Sequence, residues 1–452
     1  MKRLPRSISI GACLTSLLVA ASISAAGAAP PPGAPVLQNG GTADGGPEDP
    51  GQQAARRQSA EPRGMPASAG AMNAGRLSCG DVITRSTTLT ADVGPCPADG
   101  LIIGADNITL NLNGRTISGT PGPGDGNAAG IRLADRTGVR VIGHPGDSGK
   151  TGTVKGFDAG VFINRGSTNT IEKLLVQDNV GPDSAVEPTL SDGIILFNSA
   201  KNRIATNTII NNGVYDAIGI LGRGSDDNVV EGNRVEGTVP STQSSPGGTG
   251  IGIVVNNFLD VNERGHSIFR NRVLSNTIVN NFGSGISNVS SVDGEIIGNT
   301  ISDNGLSELG SFDVRSAFHG IGIQRSQLAV AETRVVVKGN TINHNGIAGV
   351  YLTRGVRENV VEDNTLIDNG AFGIVVLGLE NRIVNNITGN AGEVEGAFDL
   401  YDDNPGCDNN QWFGNTWTAY TFPGFEAFGS YFPECTGEGG TGPRPGLETA
   451  FG

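Results

Sequence analysis

The chain has 452 residues, of which 70 are glycine and 17% are charged, and its formal net charge is −14 at pH 7. This composition is too polar for a bundle of membrane-spanning helices and too rich in glycine for an ordinary helical domain. Glycine follows no Gly-X-Y period and 37% of the residues are hydrophobic, which excludes a collagen-like chain and disorder of the whole chain. The acidic charge opposes bulk attraction to nucleic acid or to an anionic membrane.

The first 28 residues have the organisation of a secretory signal peptide. Basic residues precede an apolar run over 8–23, and small residues follow up to Ala28. Lipidation of Cys13 is the alternative, but the apolar run continues well beyond this cysteine. We therefore expect cleavage near Ala28 and a secreted, extracellular protein. Its acidity serves solubility or, alternatively, the binding of calcium through hard oxygen ligands.

Two segments around the repetitive part of the chain are predicted to be unstructured. Residues 29–76 are rich in Pro, Gly, Ala, Ser and Gln without apolar periodicity, which predicts a disordered linker. Residues 437–452 have a similar composition and predict a flexible tail. The folded part is then expected over 77–405, followed by a C-terminal cap over 406–436.

Four cysteines remain after export, and they form two local pairs near the two ends of the folded part. Four cysteines permit three pairings, and the pairing with the smallest loops joins Cys79 to Cys96 and Cys407 to Cys435. Each bridge is expected to contribute about 3 kcal/mol by restricting the unfolded ends. The four histidines are scattered and the sequence contains no Cys-x-x-Cys, so it shows no zinc site.

Between these flanks the sequence repeats itself. The motif Asn-Thr-Ile/Leu-x-x-Asn alternates with a small residue that is followed by alternating apolar residues, and the closest copies are about 23 residues apart. This period is too short for a helical solenoid, whose repeats exceed about 30 residues. It predicts an all-β, right-handed parallel β-helix with three short strands per coil, 10 to 12 coils, and a rise of about 4.8 Å per coil. The clearest copies of the motif are 207–212, 276–281, 299–304, 340–345 and 364–369.

The asparagines and glycines of the repeat are interpreted as structural. Asparagine tolerates the left-handed backbone conformation that a corner requires, and amides stacked in consecutive coils can hydrogen-bond to one another. The glycines mark corners and not a phosphate-binding loop, because no strand-to-helix context surrounds them. Stacked Ile, Val and Leu are predicted to fill the core.

The opening segment 79–117, with Cys79-Gly80-Asp81, and the closing segment 403–412 resemble the secreted right-handed β-helix proteins of the pectin-lyase-like superfamily. The resemblance extends over about 79–435. It implies the fold, but lyases, epimerases, hydrolases, metal-export accessory proteins and non-catalytic surface proteins all share that fold. The motifs Trp-Ile-Asp-His, Gly-His-Gly and Asp-Pro-His, which mark three enzyme groups of the superfamily, are absent from this sequence.

The outward positions of the predicted strands carry few titratable side chains. If the residue after each small residue points inward, the residues two and four positions after the small residue point outward. From Phe162 to Leu377 none of these positions is titratable apart from tyrosine, which weighs against a catalytic groove there. We expect loops to cover this apolar face, or self-association to bury it.

Charged candidates lie at the corner immediately before the alternating apolar residues. Asp192 and Asp216 are expected one coil apart, close enough to share a calcium ion or a proton. His319 occupies the same corner three coils later, about 14 Å away. Arg325 and Arg354 are expected to form a basic pair in adjacent coils.

Three long loops, over 181–191, 235–249 and 304–318, are predicted to enter at this edge and to wall a groove for an acidic or neutral glycan. In the alternative interpretation the aspartates cap turns and the arginines are solvated. The predicted catalytic residues are Asp216, His319 and Arg325, the predicted substrate-binding residues are Tyr215 and Arg354, and the predicted calcium ligands are Asp192 and Asp216.

Three functional hypotheses follow. The first is a secreted protein that binds an extracellular polysaccharide and modifies it by lyase, epimerase or hydrolase chemistry, with calcium as the one cofactor considered. The second is a non-catalytic structural or cell-surface interaction protein. The third, a copper-site accessory protein, is disfavoured because the chain has only three methionines and four histidines. No nucleic-acid partner and no membrane attachment after signal cleavage are expected.

Overall fold

A computed structural model of the chain describes residues 76–120, 126–144, 151–182, 190–239, 250–256, 267–289, 291–306, 318–325, 332–389, 398–402, 404 and 409–417. The predicted signal peptide, linker, Cys407–Cys435 bridge and flexible tail lie outside these residues, as does most of the predicted cap. Within the described ranges, no helix has the length and hydrophobicity needed to cross a bilayer.

The described chain forms three long parallel sheets, named here sheets 1, 2 and 3 in the order in which each coil visits them. Sheet 1 contains β1 (Asp81–Ile83), β4 (Leu101–Ile103), β7 (Ala129–Ala134), β10 (Ala159–Asn164), β13 (Asp192–Phe197), β16 (Asp216–Leu221), β19 (Ile251–Asn256), β23 (Ile286–Val289), β27 (His319–Gln324), β30 (Ala348–Leu352), β33 (Phe372–Val376) and β36 (Phe398–Asp402).

Sheet 2 contains β2 (Thr87–Thr88), β5 (Thr109–Asn111), β8 (Arg140–Ile142), β11 (Thr170–Glu172), β14 (Arg203–Ala205), β17 (Val229–Glu231), β21 (Arg272–Leu274), β25 (Glu295–Ile297), β28 (Val336–Lys338), β31 (Val360–Glu362), β34 (Arg382–Val384) and β37 (Gln411–Phe413). Sheet 3 contains β3 (Val93–Cys96), β6 (Thr116–Gly119), β9 (Gly152–Lys155), β12 (Leu174–Gln177), β15 (Thr208–Ile210), β18 (Arg234–Glu236), β22 (Thr277–Val279), β26 (Thr300–Ser302), β29 (Thr341–Asn343), β32 (Thr365–Ile367) and β35 (Ile387–Gly389).

The strand order confirms the predicted solenoid. Sheets 1 and 2 have 12 strands each and sheet 3 has 11, all in parallel ladders between successive coils. Parallel strands joined by crossovers are right-handed in nearly all proteins. An additional small ladder pairs β20 (Ile268–Phe269) with β24 (Ser291–Val292). The chain is therefore an all-β, right-handed parallel β-helix with the predicted number of coils.

The core is a stack of aligned apolar side chains. Val161, Ile194, Ile218 and Ile253 are partners in successive strands of sheet 1 and all four are fully buried. This confirms the predicted inward position after the small residue. The sequence pattern alone puts the small residue of one copy at Gly250, with Ile251 inward, but the structure puts it at Gly252, because Ile253 and not Ile251 aligns with Ile218.

The glycine before each inward residue of sheet 1 has a steric cause. A Cβ at Gly320 would lie 2.5 Å from Cγ2 of Ile342, and one at Gly285 would lie 2.6 Å from Cγ2 of Ile301. Real Cβ atoms do not approach this closely, because the apolar side chains of sheet 3 already fill the corner. From β7 to β33 this position is therefore glycine or, in one coil, the small residue Ala217.

Asparagine ladders run along all three corners of the coil. Nδ2 of Asn207 donates to Oδ1 of Asn233, and Nδ2 of Asn233 donates to Oδ1 of Asn276, both at 3.0 Å. Because the two asparagines of the repeated motif lie at different corners, each motif contributes to two ladders. The ladders contain Asn169, Asn202, Asn228, Asn271, Asn359, Asn381 and Asn410 between sheets 1 and 2; Asn207, Asn233, Asn276, Asn299, Asn340, Asn364, Asn386 and Asn415 between sheets 2 and 3; and Asn179, Asn212, Asn281, Asn304, Asn345 and Asn369 between sheets 3 and 1.

The left-handed backbone conformation at these corners is not adopted by the ladder asparagine, although the sequence had predicted this. The left-handed residue precedes the ladder asparagine: Thr206, Asn211 and Ser275 have φ values of 54°, 53° and 51°. The ladder position itself is asparagine because its buried amide donates to one neighbouring coil and accepts from the other.

Both ends of the core are closed. The predicted Cys79–Cys96 disulfide is present, with its Cα atoms 5.4 Å apart. At the other end, Trp412 is buried and Trp417 packs against the core. The indole Nε1 of Trp412 donates to Oδ2 of the buried Asp402 at 2.8 Å. Burial raises the pKa of Asp402, while the hydrogen bonds from Trp412 and neighbouring asparagines oppose that shift.

Candidate functional site

The long connections of the solenoid border sheet 1. The three connections predicted at its entry edge join sheet 3 to sheet 1, from Gln177 to Asp192, from Glu236 to Ile251 and from Ser302 to His319. Two further long connections leave its exit edge, between β19 and β20 and between β27 and β28. By contrast, one or two residues separate each sheet 2 strand from the following sheet 3 strand from β11 onward. Because binding residues concentrate on loops carried by a rigid scaffold, sheet 1 is the candidate functional face.

Asp192 and Asp216 lie together, as expected from the repeat. They begin β13 and β16, and the backbone N–H of Asp216 donates to Oδ1 of Asp192 at 2.8 Å. Their exposed fractions are 0% and 3%. The aspartate at this corner therefore supports the start of the next coil, as the turn-capping interpretation requires.

His319 lies in the same column but three coils away. The column continues from Asp216 through Ile251 and then Ser284, whose Oγ accepts the backbone N–H of His319 at 3.0 Å. Three coils correspond to about 14 Å. The structure therefore does not bring His319 to the two aspartates.

The His319 side chain is buried and neutral. It is 2% exposed, and its imidazole lies flat against the ring of Tyr351. Nδ1 has no hydrogen-bond partner among the described residues. Burial lowers the pKa of His319 from 6.5 to about 3. At neutral pH the ring is therefore uncharged, and a base this weak accepts a proton poorly.

The remaining predicted site residues occupy different environments. A Cβ at Gly355 would lie 2.9 Å from Nη1 of Arg325, so this guanidinium lies against the turn that follows the exposed Arg354. The two arginines thus come from adjacent coils, as expected. Tyr215 is only 4% exposed, so its side chain is not available at the surface of the described structure.

Residues that the sequence analysis did not single out also lie on this face. Arg132 points outward from β7, one strand before Phe162, which is the first outward position in the sequence analysis. Its Nε pairs with Oδ2 of Asp99 at 2.6 Å. Its guanidinium also lies over the ring of Phe162, 5.3 Å from the centroid. The ring of Phe372 lies beside that of Tyr401, with centroids 5.5 Å apart. These pairs were missed because each joins residues from different coils.

The outer side of sheet 1 carries two apolar clusters. The first contains Ile195 and Leu221, both fully buried, together with Leu190 from the connection that precedes β13. The second surrounds Phe372 and includes the half-buried Tyr351 and Tyr401. The apolar outer face is therefore covered near β13 and carries aromatic side chains near β30 to β36.

Two family profiles match parts of the chain. Residues 247–415 match the family described as right handed beta helix region, and residues 111–308 match the family described as periplasmic copper-binding protein. A sequence search of curated proteins finds no match.

The residues present do not fit copper. Copper sites are built from thiolate, thioether and imidazole ligands. Residues 111–308 contain no cysteine or methionine, and their two histidines are His144 and His266. In the part of the chain that the structure describes, no three His, Cys, Asp or Glu residues are grouped to hold a metal ion.

Solved structures with similar coordinates include a tailspike protein, an epimerase module and a glucanase domain. The Dettilon tailspike protein is 16% identical over 74% of this chain and 62% of its own, with a TM-score of 0.45. The A-module of a mannuronan C-5 epimerase from Azotobacter vinelandii is 15% identical over 76% and 91%, with a TM-score of 0.44. The catalytic domain of an alpha-1,3-glucanase is 15% identical over 75% and 64%, with a TM-score of 0.45.

The chain thus spans less than two thirds of the tailspike protein and of the glucanase domain. The identification rests on the sheets themselves and on the family profiles. Three stacked parallel sheets in register show that the described part of the chain is a right-handed parallel β-helix, in agreement with the family match over 247–415.

Proposed function

We propose that the protein is secreted and binds an extracellular polysaccharide along the outer face of sheet 1. The observation that carries this proposal is the placement of the long connections, which border both edges of sheet 1 from β12 onward. We call the strip of outer face between these two rows of connections the trough, and it runs parallel to the solenoid axis. A linear polymer fits a trough of this kind, because the coils repeat every 4.8 Å or so along it.

The side chains of the trough support an uncharged or weakly charged ligand. From β19 to β36 the described outward positions of the strands carry no charged side chain, because burial keeps His319 neutral. Gln324, Tyr351 and Tyr401 are half-buried on this face. Amide and phenol groups donate and accept hydrogen bonds, and tyrosine adds apolar surface, so these side chains suit sugar hydroxyls and ring C–H groups.

The arrangement supports binding more than catalysis. An acid and a base that act on one bond must both reach it within hydrogen-bond distance. Asp216 and His319 are separated by three coils, about 14 Å, and burial keeps His319 neutral. We therefore propose binding as the activity and treat modification of the polysaccharide as an outcome to be tested.

The test is a panel of uronic-acid and neutral polysaccharides, with and without calcium, in affinity electrophoresis of the full chain. We expect retardation by at least one polysaccharide and no unsaturated product or new reducing end. Tyr351→Ala should weaken retardation about tenfold through lost apolar and hydrogen-bonding contact, whereas Thr300→Ala, on the exposed side of sheet 3, should not. Absence of retardation by every polysaccharide would overturn the proposal, and product formation would show an enzyme.

A further inference from the structure

A cavity of about 510 Å³ opens at the corner between sheets 3 and 1, near the N-terminal end of the solenoid. Its lining includes Ser118, Gly119, Lys155, Gly156, Phe157 and Asp178. It includes none of the predicted site residues and none of the outward residues of sheet 1. Its volume lies within the range of small-ligand sites, about 300 to 1,000 Å³.

The cavity is built from three consecutive coils. Ser118 and Lys155 are partners in β6 and β9, and Lys155 is in turn the partner of Gln177, the residue before Asp178. Gly119 leaves room for the ring of Phe157, since a Cβ there would lie 2.9 Å from Cδ1. Phe157 is 3% exposed, so its ring belongs to the core beneath the cavity, and the accessible apolar lining comes from Pro95 and Val180.

The cavity lining contains one positively charged and one negatively charged side chain. The ammonium group of Lys155 donates hydrogen bonds only, and the carboxylate of Asp178 accepts them only. Nε2 of Gln177 donates to Oδ2 of Asp178 at 3.1 Å, which orients the carboxylate. A ligand with a net charge of either sign would attract one of the two groups and repel the other.

A ligand that matches the charged groups and the apolar lining of this cavity has hydroxyl groups that both donate and accept, apolar C–H faces and no net charge. A single neutral sugar ring has these properties. Its hydroxyls pair with Lys155, Asp178 and the hydroxyl of Ser118, and its C–H face packs on Pro95 and Val180. We infer that this cavity binds one neutral sugar residue, at a site separate from the face of sheet 1. The ligand class rests on the proposed function.

The inference is tested by calorimetric titration of the full chain with glucose, galactose, mannose and, as a charged comparison, glucuronate. We expect one of the neutral sugars to bind and glucuronate to bind more weakly. Lys155→Ala and Asp178→Asn should each weaken that sugar about tenfold through loss of a charge-assisted hydrogen bond. Ser118→Trp should abolish binding by filling the cavity, and Lys201→Ala, an exposed lysine at another corner, should bind like the wild type.

Thermal unfolding of each variant verifies its fold. Stronger binding of glucuronate, no binding of any neutral sugar, or neutral-sugar binding unchanged in Lys155→Ala and Asp178→Asn would overturn the inference. Polysaccharide retardation of the same variants separates this result from the proposed function. If retardation persists while no neutral sugar binds, the cavity site is wrong and the sheet 1 proposal stands. If no polysaccharide retards the chain but a neutral sugar binds and Lys155→Ala weakens that binding, the cavity site stands and the sheet 1 proposal is wrong.

Discussion

The imidazole of His319 and the phenol ring of Tyr351 lie parallel, with centroids 4.3 Å apart and an interplanar angle of 2°. The two rings come from adjacent strands of sheet 1, β27 and β30. A stack this close excludes water from the imidazole, which explains why burial lowers the pKa of His319 to about 3. Because of this contact, His319 serves as a packing residue and not as a base.

The first prediction concerns pH. Because the folded-state pKa of His319 is depressed from 6.5 to about 3, the unfolded state binds a proton first as the pH falls. The stabilising effect of the neutral ring is therefore complete above pH 6.5 and is lost as the pH falls toward 3. Between pH 7.5 and 5 the wild type should lose about 2 kcal/mol more unfolding free energy than His319→Phe, which keeps an aromatic ring. Urea unfolding at the two pH values measures this difference, and parallel losses would contradict it.

The second prediction concerns the asparagine ladder between sheets 2 and 3. Asn276 accepts from the side chain of Asn233 and donates to Oδ1 of Asn299 and to the carbonyl of Val230, at 2.9 to 3.0 Å. Asn276→Ala leaves buried groups on both neighbouring coils unsatisfied, so we expect a loss of about 3 kcal/mol in urea unfolding. Thr277→Ala, the adjacent half-buried residue, is the control and should cost less than about 1 kcal/mol. Equal losses would show that the ladder adds nothing specific.

The third prediction compares two glycines of one strand. In β27, a Cβ at Gly320 would lie 2.5 Å from Cγ2 of Ile342, whereas a Cβ at Gly322 would meet only the flexible end of Gln324 at 3.1 Å. Gly320→Ala should therefore destabilise the protein by about 2 kcal/mol through overpacking. Gly322→Ala should change the unfolding free energy by less than about 0.5 kcal/mol. The reverse order would mean that the inward and outward faces are misassigned.

The fourth prediction concerns the C-terminal end of the core. Trp412→Phe keeps an aromatic ring in place but removes the N–H that donates to Asp402. The buried carboxylate then lacks one donor, and the expected loss is about 2 kcal/mol. Hydrogen exchange of the backbone amide of Leu400 should accelerate in the variant while that of Ile194 does not, because each coil contacts only its neighbours. Unchanged exchange at Leu400 would contradict this role.

The fold could be predicted because the repeat encodes local and global structure together. The motif at 207–212 supplies a strand of sheet 3 and a ladder asparagine at each of its ends, so its period reports the length of a coil. The register failed at Gly250, where Gly248, Gly250 and Gly252 alternate and leave three equivalent positions, and at Gly396, since Leu400 and not Ala397 aligns with Ile374. Packing selects Gly252, because a Cβ there would lie 2.6 Å from Cγ2 of Ile278.

The candidate site was less predictable. The neighbour relation of Asp192 and Asp216 follows from their spacing alone. The stacking of His319 on Tyr351 does not, because it depends on the side-chain directions of two coils. The cavity near Lys155 was missed for the same reason: its lining comes from three coils, and no single segment contains a recognisable motif.

The short corner between sheets 2 and 3 has an evolutionary consequence. From β11 onward this corner keeps one or two residues in every coil, whereas the borders of sheet 1 accommodate segments of different lengths without disturbing the stack. Relatives of this protein can therefore acquire new ligands by exchanging segments at those borders alone. Directed evolution of a new specificity should begin at the same positions and leave the opposite corner untouched.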